Sequence, residues 1–406
     1  MELDDARTIG QRLREIRIWR GKTLRVVAEL AGITESYLCR LELGRCQVTR
    51  RSLLEALAAA LEVAPGELTG VHELTSAEGM GEVHAAVVAL RVALADNTLD
   101  DPADDAAQSW PKLAMRLHRV NSQLRPAADY AALGLVLPEL ITDLHAVATT
   151  VSAHRRDALA GLLDVYTAVT FTAKHLGEPD LATVAAMHAR AVAGELGSPA
   201  HTALAELLRA HAVSSPARAR SLVLATRAAD RVAPSVGTDL GAAEMYGMLH
   251  LTCALNAAAL RRPAESAEHQ AEAADVAARV GAGTNFGHQS FGVANLGFWR
   301  VHLAVERGEG GKVRELARNV DPSAVTLGPT RRAAYYTDLG RGLATERAHQ
   351  HDAVAALRTA ERLAPQRVRA NPFARETVMG LLRQARQDAI GRELRGMAYR
   401  MGIGVG

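Results

Sequence analysis

From Ala106 onward, an Ala- and Leu-rich pattern is interrupted at Pro199, Pro234, Gly281, Pro322 and Pro365, at intervals of 35 to 47 residues. Each interval has room for two antiparallel helices of roughly 12 to 20 residues and a turn, the unit of a helical-hairpin repeat. Two of the segments that precede a proline are alike: Ala217-Arg-Ala-Arg-Ser leading to Pro234, and Asp352-Ala-Val-Ala-Ala-Leu leading to Pro365. Small residues alternate with leucine in both. Alanine fills 78 of the 406 positions, whereas aromatic residues make up 4%. Alanine has the highest helix propensity, and its small side chain lets helices approach closely. The chain is therefore expected to be all-α, and its length predicts two or three domains.

Charge separates the N-terminus from the rest. Residues 7–52 hold eleven Arg or Lys against four acids, a surplus of seven, while residues 78–109 hold seven acids and one Arg. The whole chain is only +2, so the distribution is what matters: a compact basic head points to a polyanionic partner for the head alone. Helix punctuation there is dense. Leu13 and Ile16 precede Gly21; Thr23 stands where an N-cap belongs, before Val26, Val27 and Leu30; Gly32 breaks that helix. Thr34 caps the next, with Leu38 and Leu41 at i, i+3 spacing, and Gly44 ends it. Thr49 is expected to cap a fourth helix carrying Leu53, Leu54, Leu57 and Leu61, and Pro65 opens a short fifth. Ala28 is small where two helices must cross, and Gly32 permits a left-handed turn without a Cβ clash. Ile33 and Leu38 bury the inner face of the following helix, which leaves Glu35, Ser36, Cys39 and Arg40 outward.

These residues resemble the helix-turn-helix of the phage Cro/repressor type, the XRE family, from about Ile9 to Gly70. Gly21, Ala28, Gly32, Ile33, Leu38, Leu41, Glu42, Gly44 and Leu61 fall where that family has glycine, alanine or core apolar residues. The resemblance implies a five-helix, lambda-repressor-like domain whose helix Thr34–Leu43 enters the major groove of double-stranded DNA. By position, Glu35, Ser36 and Arg40 would then face bases, with Thr34, Tyr37 and Cys39 beside them. Arg40 would pair with guanine; Glu35 would either accept from a cytosine amino group or stabilise the helix N-terminus. Arg45, Arg50 and Arg51 occupy the following loop and helix start, where the family touches phosphates. Arg17 and Glu42 match an internal salt bridge. Leu24 departs from the glutamine that the family often uses to hold a phosphate, and Arg25 is the candidate substitute.

The remainder resembles tetratricopeptide repeats in degenerate form, which implies an α-solenoid of five to seven hairpins. The expected organisation is a DNA-binding domain over 1–72, an acidic linker or connecting helix over 73–105 with a loose loop at Asp96–Asp105, and a ligand-sensing and dimerisation domain over 106–406. On a helix read as His288–Glu306, the residues His288, Asn295, Trp299 and His302 share one stripe. Tyr246 and Asn256 precede it and Tyr336 follows. Polar side chains on a face that should be buried need partners, either neighbouring helices or a ligand, and these seven are the candidate ligand residues. The two carboxamides suit a ligand with amide groups.

No HExxH, Walker-type phosphate loop or Gly-x-Ser-x-Gly elbow is present, so no enzyme activity, cofactor or metal is expected. Cys39, Cys46 and Cys253 have no CxxC spacing, which suits a reducing compartment. Met1 to Arg7 is too acidic and polar for a signal peptide, and the longest uncharged stretch, Val280–Trp299, is too polar to span a membrane. The expectation is a cytoplasmic, bacterial-type transcriptional regulator that binds a palindromic operator as a homodimer and senses a small molecule or short peptide. The alternative is a DNA-tethered scaffold for another protein, with no small ligand.

Overall fold

The computed structural model describes residues 8–70, 80–101, 108–150, 153–213, 217–323, 328–384 and 389–403. The regular elements among the described residues are all helical, and no strand occurs among them. The head is built from α1 (Ile9–Trp19), α2 (Leu24–Ala31), α3 (Glu35–Glu42), α4 (Arg51–Leu61) and α5 (Pro65–Thr69). Leu13, Val27, Leu38, Leu53, Leu57, Leu61 and Leu68 are buried together at their centre. Local chemistry sets most of the ends. Thr23 and Thr34 accept the N–H of Val26 and Tyr37, Gly32 closes α2 in the left-handed region at φ 62°, and Pro65 opens α5.

Thr8 begins α1 with a reciprocal cap: its hydroxyl accepts from Gln11 N at 3.1 Å, and Gln11 Oε1 accepts from Thr8 N at 2.8 Å. Thr8→Ala removes half of that pair and is expected to cost ~1 kcal/mol, read as a lowered thermal midpoint. Thr49, in contrast, does not cap α4. That helix starts at Arg51, with Arg50 at the N-cap position and no side-chain cap of its own.

The segment expected to be an acidic linker or connecting helix holds a helix that packs into the large body. Residues 71–79 and 102–107 lie outside the described residues, but α6 (Met80–Asp96) is a full helix packed on the helix Tyr130–Thr149. Its Val83, Val87, Leu90 and Leu94 are buried in the core of the large body. A Cβ on Gly134 would stand 1.9 Å from Ala86 Cβ, so glycine is what lets these two helices cross. Asn97, in the stretch read as a loose loop, is buried and donates to Ala93 O and Thr142 Oγ1. Tyr130–Thr149 is also the one described helix long and apolar enough to cross a membrane; it carries Asp143 and His145 and packs as a core helix.

Consecutive helices then pair across short turns: Arg155–Leu176 with Pro179–Leu196, Pro199–Ala212 with Arg218–Val232, Leu240–Ala259 with Pro263–Val280, Val293–Arg307 with Val313–Arg318, and Pro329–Leu343 with Gln350–Leu363. The first helices of successive pairs lie side by side. The row curls until its two ends meet, where Gln366 Oε1 accepts from Tyr130 N at 2.6 Å and Ala131 N at 3.1 Å.

Candidate nucleic-acid interface

The outer face of α3 is what the turn before it exposes. Ile33 and Leu38 face inward, Leu38 and Leu41 are fully buried, and Thr34, Glu35, Ser36 and Arg40 are exposed. Tyr37 and Cys39 are half-buried at its edge. The Arg40 guanidinium lies 5.7 Å from the Tyr37 ring centroid, which supports its stem while leaving the charged end outside. Burial pushes the Tyr37 hydroxyl up from its ordinary value, so it stays protonated. Arg25, beside the half-buried Leu24, and Arg45, after α3, are both exposed.

Two devices hold α3 in place. Arg17 binds Glu42 in bidentate fashion, Nε to Oε1 at 2.6 Å and Nη2 to Oε2 at 2.8 Å, and Nη1 reaches Lys22 O. This is the ion pair expected from the sequence. The hydrogen bond to Glu42 raises the Arg17 pKa. Gly10, which sequence reasoning passed over, is the second. A Cβ there would stand 2.0 Å from Leu41 O, so α1 and α3 meet backbone to backbone.

The phosphate set divides. Arg45 is free to meet solvent, but Arg50 and Arg51 are not simple surface cations. A Cβ on Gly308 would stand 2.6 Å from Arg50 Nη1, which places that side chain against the large body. Arg51 is committed to it: the backbone N of Arg51 donates to Glu306 Oε2 at 3.1 Å and its guanidinium to Glu306 Oε1. Glu306 therefore caps α4 from 255 residues away, in the role expected of Thr49. Arg341 completes the joint, donating to Glu306 Oε1 at 3.0 Å, to Asp338 Oδ1 at 2.6 Å and to Thr49 O. Asp338 Oδ2 in turn meets His302 Nδ1 at 2.7 Å. Phe373 lies beneath both guanidiniums and is buried in the head's own core. Burial alone would raise the Glu306 pKa, but Arg51 and Arg341 outweigh it and hold the carboxyl at about 2.

The head is tied down elsewhere too. Glu376 Oε2 accepts from Ile9 N, Arg261 donates to the carbonyls of Ala31 and Gly32, Arg383 donates to Gly44 O, and Arg218 pairs with Glu55. Carbonyls at the ends of α2 and α3 carry partial negative charge, which suits these arginines.

The stripe expected of His288, Asn295, Trp299 and His302 is broken at its start. His288 ends a 3-10 turn, Phe286–His288, at φ 59°, and Gly292 at φ 148° starts the helix Val293–Arg307, so the helix read as beginning at His288 begins five residues later. His288 meets Asp164 instead. Asn295, Trp299 and His302 do stand together: Asn295 Oδ1 accepts from Arg331 at 2.6 Å, the Arg331 guanidinium lies over the Trp299 ring, and Trp299 meets His302 edge-on. Tyr246 is bonded to Glu272, Asn256 to Ser221 and Thr252 O, and Tyr336 packs edge-on to Tyr335. Arg331 and Arg341 were missed by sequence reasoning. Their signal was a guanidinium repeated on an otherwise small and aromatic helix, Pro329–Leu343.

Compared with known proteins, residues 8–69 match the family model of a helix-turn-helix domain. No curated protein and no solved structure matches the chain. The head is a helix-turn-helix domain of DNA-binding type, and the rest of the described chain is helical.

Proposed function

We propose that the chain is a sequence-specific DNA-binding regulator of transcription. The reading is carried by the face of α3, where Thr34, Glu35, Ser36 and Arg40 project from a helix pinned by Arg17–Glu42 and by the backbone contact at Gly10. Glu35 and Arg40 read base edges, with Ser36, Tyr37 and Cys39 at the margin, and Arg25 and Arg45 touch phosphates. Arg50 and Arg51 belong to the joint with the large body. Because one head offers few base contacts, two copies on a palindromic operator are required, with half-sites about one helical turn apart. Trp19, exposed at 76%, and Ile18 at the end of α1 offer apolar surface for a second copy. The regulator acts in the bacterial cytoplasm.

The helical body is proposed to be a degenerate tetratricopeptide-type superhelix that senses a signal, with the head as one unit to about Gly70 and the body as the other from Met80. The contacts of Arg51, Glu376, Arg261 and Arg383 join the two, so a change of curvature in the body alters the position of the head. The meeting of the superhelix ends at Gln366 supports an enclosed ligand rather than an extended protein partner.

Selection from random duplexes followed by titration against the selected site tests the reading: failure to enrich any sequence would remove it. Within that assay, Arg45→Gln should weaken binding to all duplexes alike and reduce the slope of log K against log salt by ~1. A full slope retained would place the phosphate contacts elsewhere.

A further inference from the structure

We infer that the structure is the closed state of a switch: the head docks on the large body through the start of α4, where the Glu306 carboxylate sits in the place of a DNA phosphate, so that docking and full engagement of an operator exclude one another. The inference rests on the DNA-binding reading above and adds the regulation of that site.

A helix lying in a major groove about 12 Å wide has a phosphate backbone along each side. The loop that leaves α3 and the start of the next helix therefore run beside one strand. Here these are residues 44–51, which carry Arg45, Arg50 and Arg51. The body covers most of this stretch. Arg383 donates to Gly44 O at 3.3 Å, a Cβ on Gly380 would run into the Gln47 amide, Arg341 donates to Thr49 O, and the Arg50 guanidinium lies against Gly308. Of the three head arginines, Arg45 alone is exposed.

The start of α4 is an anion site with its occupant in place. The first N–H groups of this helix of 11 residues have no partner within it. Glu306 Oε2 takes the Arg51 N–H at 3.1 Å, and Oε1 takes the Arg51 guanidinium. Two oxygens of one phosphate suit the same pair of donors, since both groups offer anionic acceptors to a helix N-terminus. Carboxylate and phosphate cannot both be there. The outer face of α3 stays exposed in the docked head. Docking thus removes phosphate anchors and leaves the recognition surface, which lowers affinity without abolishing it.

The joint is of a kind that can open. Glu306 and Arg341 are each 1% exposed, and desolvation offsets much of the attraction in such a pair. Parting both partners into water, with phosphate replacing carboxylate on Arg51, costs far less than deleting one of them. Glu306 stands on Val293–Arg307, and Arg341 with Asp338 on Pro329–Leu343. A shift between these two helices separates Glu306 from Arg341 and loosens the head. Arg261 and Arg383 add to the docking at Gly32 and Gly44, the glycines on either side of α3.

The test uses the full chain and its selected operator. Arg261 and Arg383 are exposed and hold the head through its carbonyls, so removing them leaves no buried charge unpaired. The double variant Arg261→Gln with Arg383→Gln is expected to bind about fivefold or more tightly than wild type, because apparent affinity rises with the fraction of open molecules. Loss of two positive charges otherwise weakens binding to DNA, so the sign of the change decides. Glu306→Gln should tighten binding as well; if it does not fold, the double variant carries the test. Hydrogen exchange gives a second readout. Saturating operator should raise exchange in the helix Pro372–Gln384, whose Phe373 is buried in the head's core. Binding by the double variant equal to or weaker than that of wild type overturns the inference and leaves the DNA-binding reading in place. Operator binding with no rise in that exchange does the same. No binding to any duplex by wild type or either variant removes the DNA-binding reading, and the inference with it.

Discussion

Glu306→Ala should cost about 3–5 kcal/mol of stability at neutral pH, the range for breaking a buried ion pair from one side. The substitution leaves Arg341, 1% exposed, and Arg51 without their shared carboxylate, and it uncaps α4. Chemical denaturation is expected to show the head unfolding ahead of the large body, because Glu306 is the centre of the joint between them. The pH dependence has a definite sign. The folded carboxyl titrates at about 2, below its ordinary value of 4.5. Folding therefore releases protons in that window: the contribution is complete above pH 4.5 and is lost as pH falls toward 2. The difference in stability between wild type and Glu306→Gln should shrink across that interval. A constant difference from pH 6 down to pH 2.5 would mean that Glu306 is not held ionised by Arg51 and Arg341.

Arg40→Ala should lower affinity for the selected operator by about 1–3 kcal/mol, roughly 5- to 150-fold, and relax the preference at one base position in each half-site. Affinity for unrelated duplexes should fall much less, because the loss is in base recognition rather than in phosphate contact. The thermal midpoint should be nearly unchanged, since Arg40 is exposed and its one aromatic neighbour, Tyr37, keeps its own packing. Unaltered selectivity would show that another face of the head reads the sequence.

The two predictions sit on opposite sides of what can be read from a chain. The outward face of α3 was legible because its determinants are close together: Thr34 caps α3, Gly32 turns into it, and Leu38 and Leu41 choose its buried side. Arg17–Glu42 was legible through resemblance alone, since 25 residues separate the partners. The joint was not legible. Arg51 and Glu306 each look like an ordinary helix-terminal charge, and nothing local pairs residues so far apart. The same applies to α6: its composition reads as an acidic connection, and only packing on Tyr130–Thr149 makes Val83, Val87, Leu90 and Leu94 core residues. The error at His288 was local in another way. The spacing reads as helical from His288, but Gly287 and Gly292 together with positive φ at His288 and Ser290 break the helix there.

The sequence by itself determined that the chain is helical, where most of the head's helices begin and end, and which side of α3 faces outward. Caps, glycine turns and apolar spacing act within a few residues, so their physics is complete in a short window. Tertiary structure alone decided that Glu306 takes the N-terminus of α4 and that Phe373 completes the head's core. Those outcomes depend on charge and burial summed over segments hundreds of residues apart, and they come into being only when the helices of the large body pack and bring the segments together.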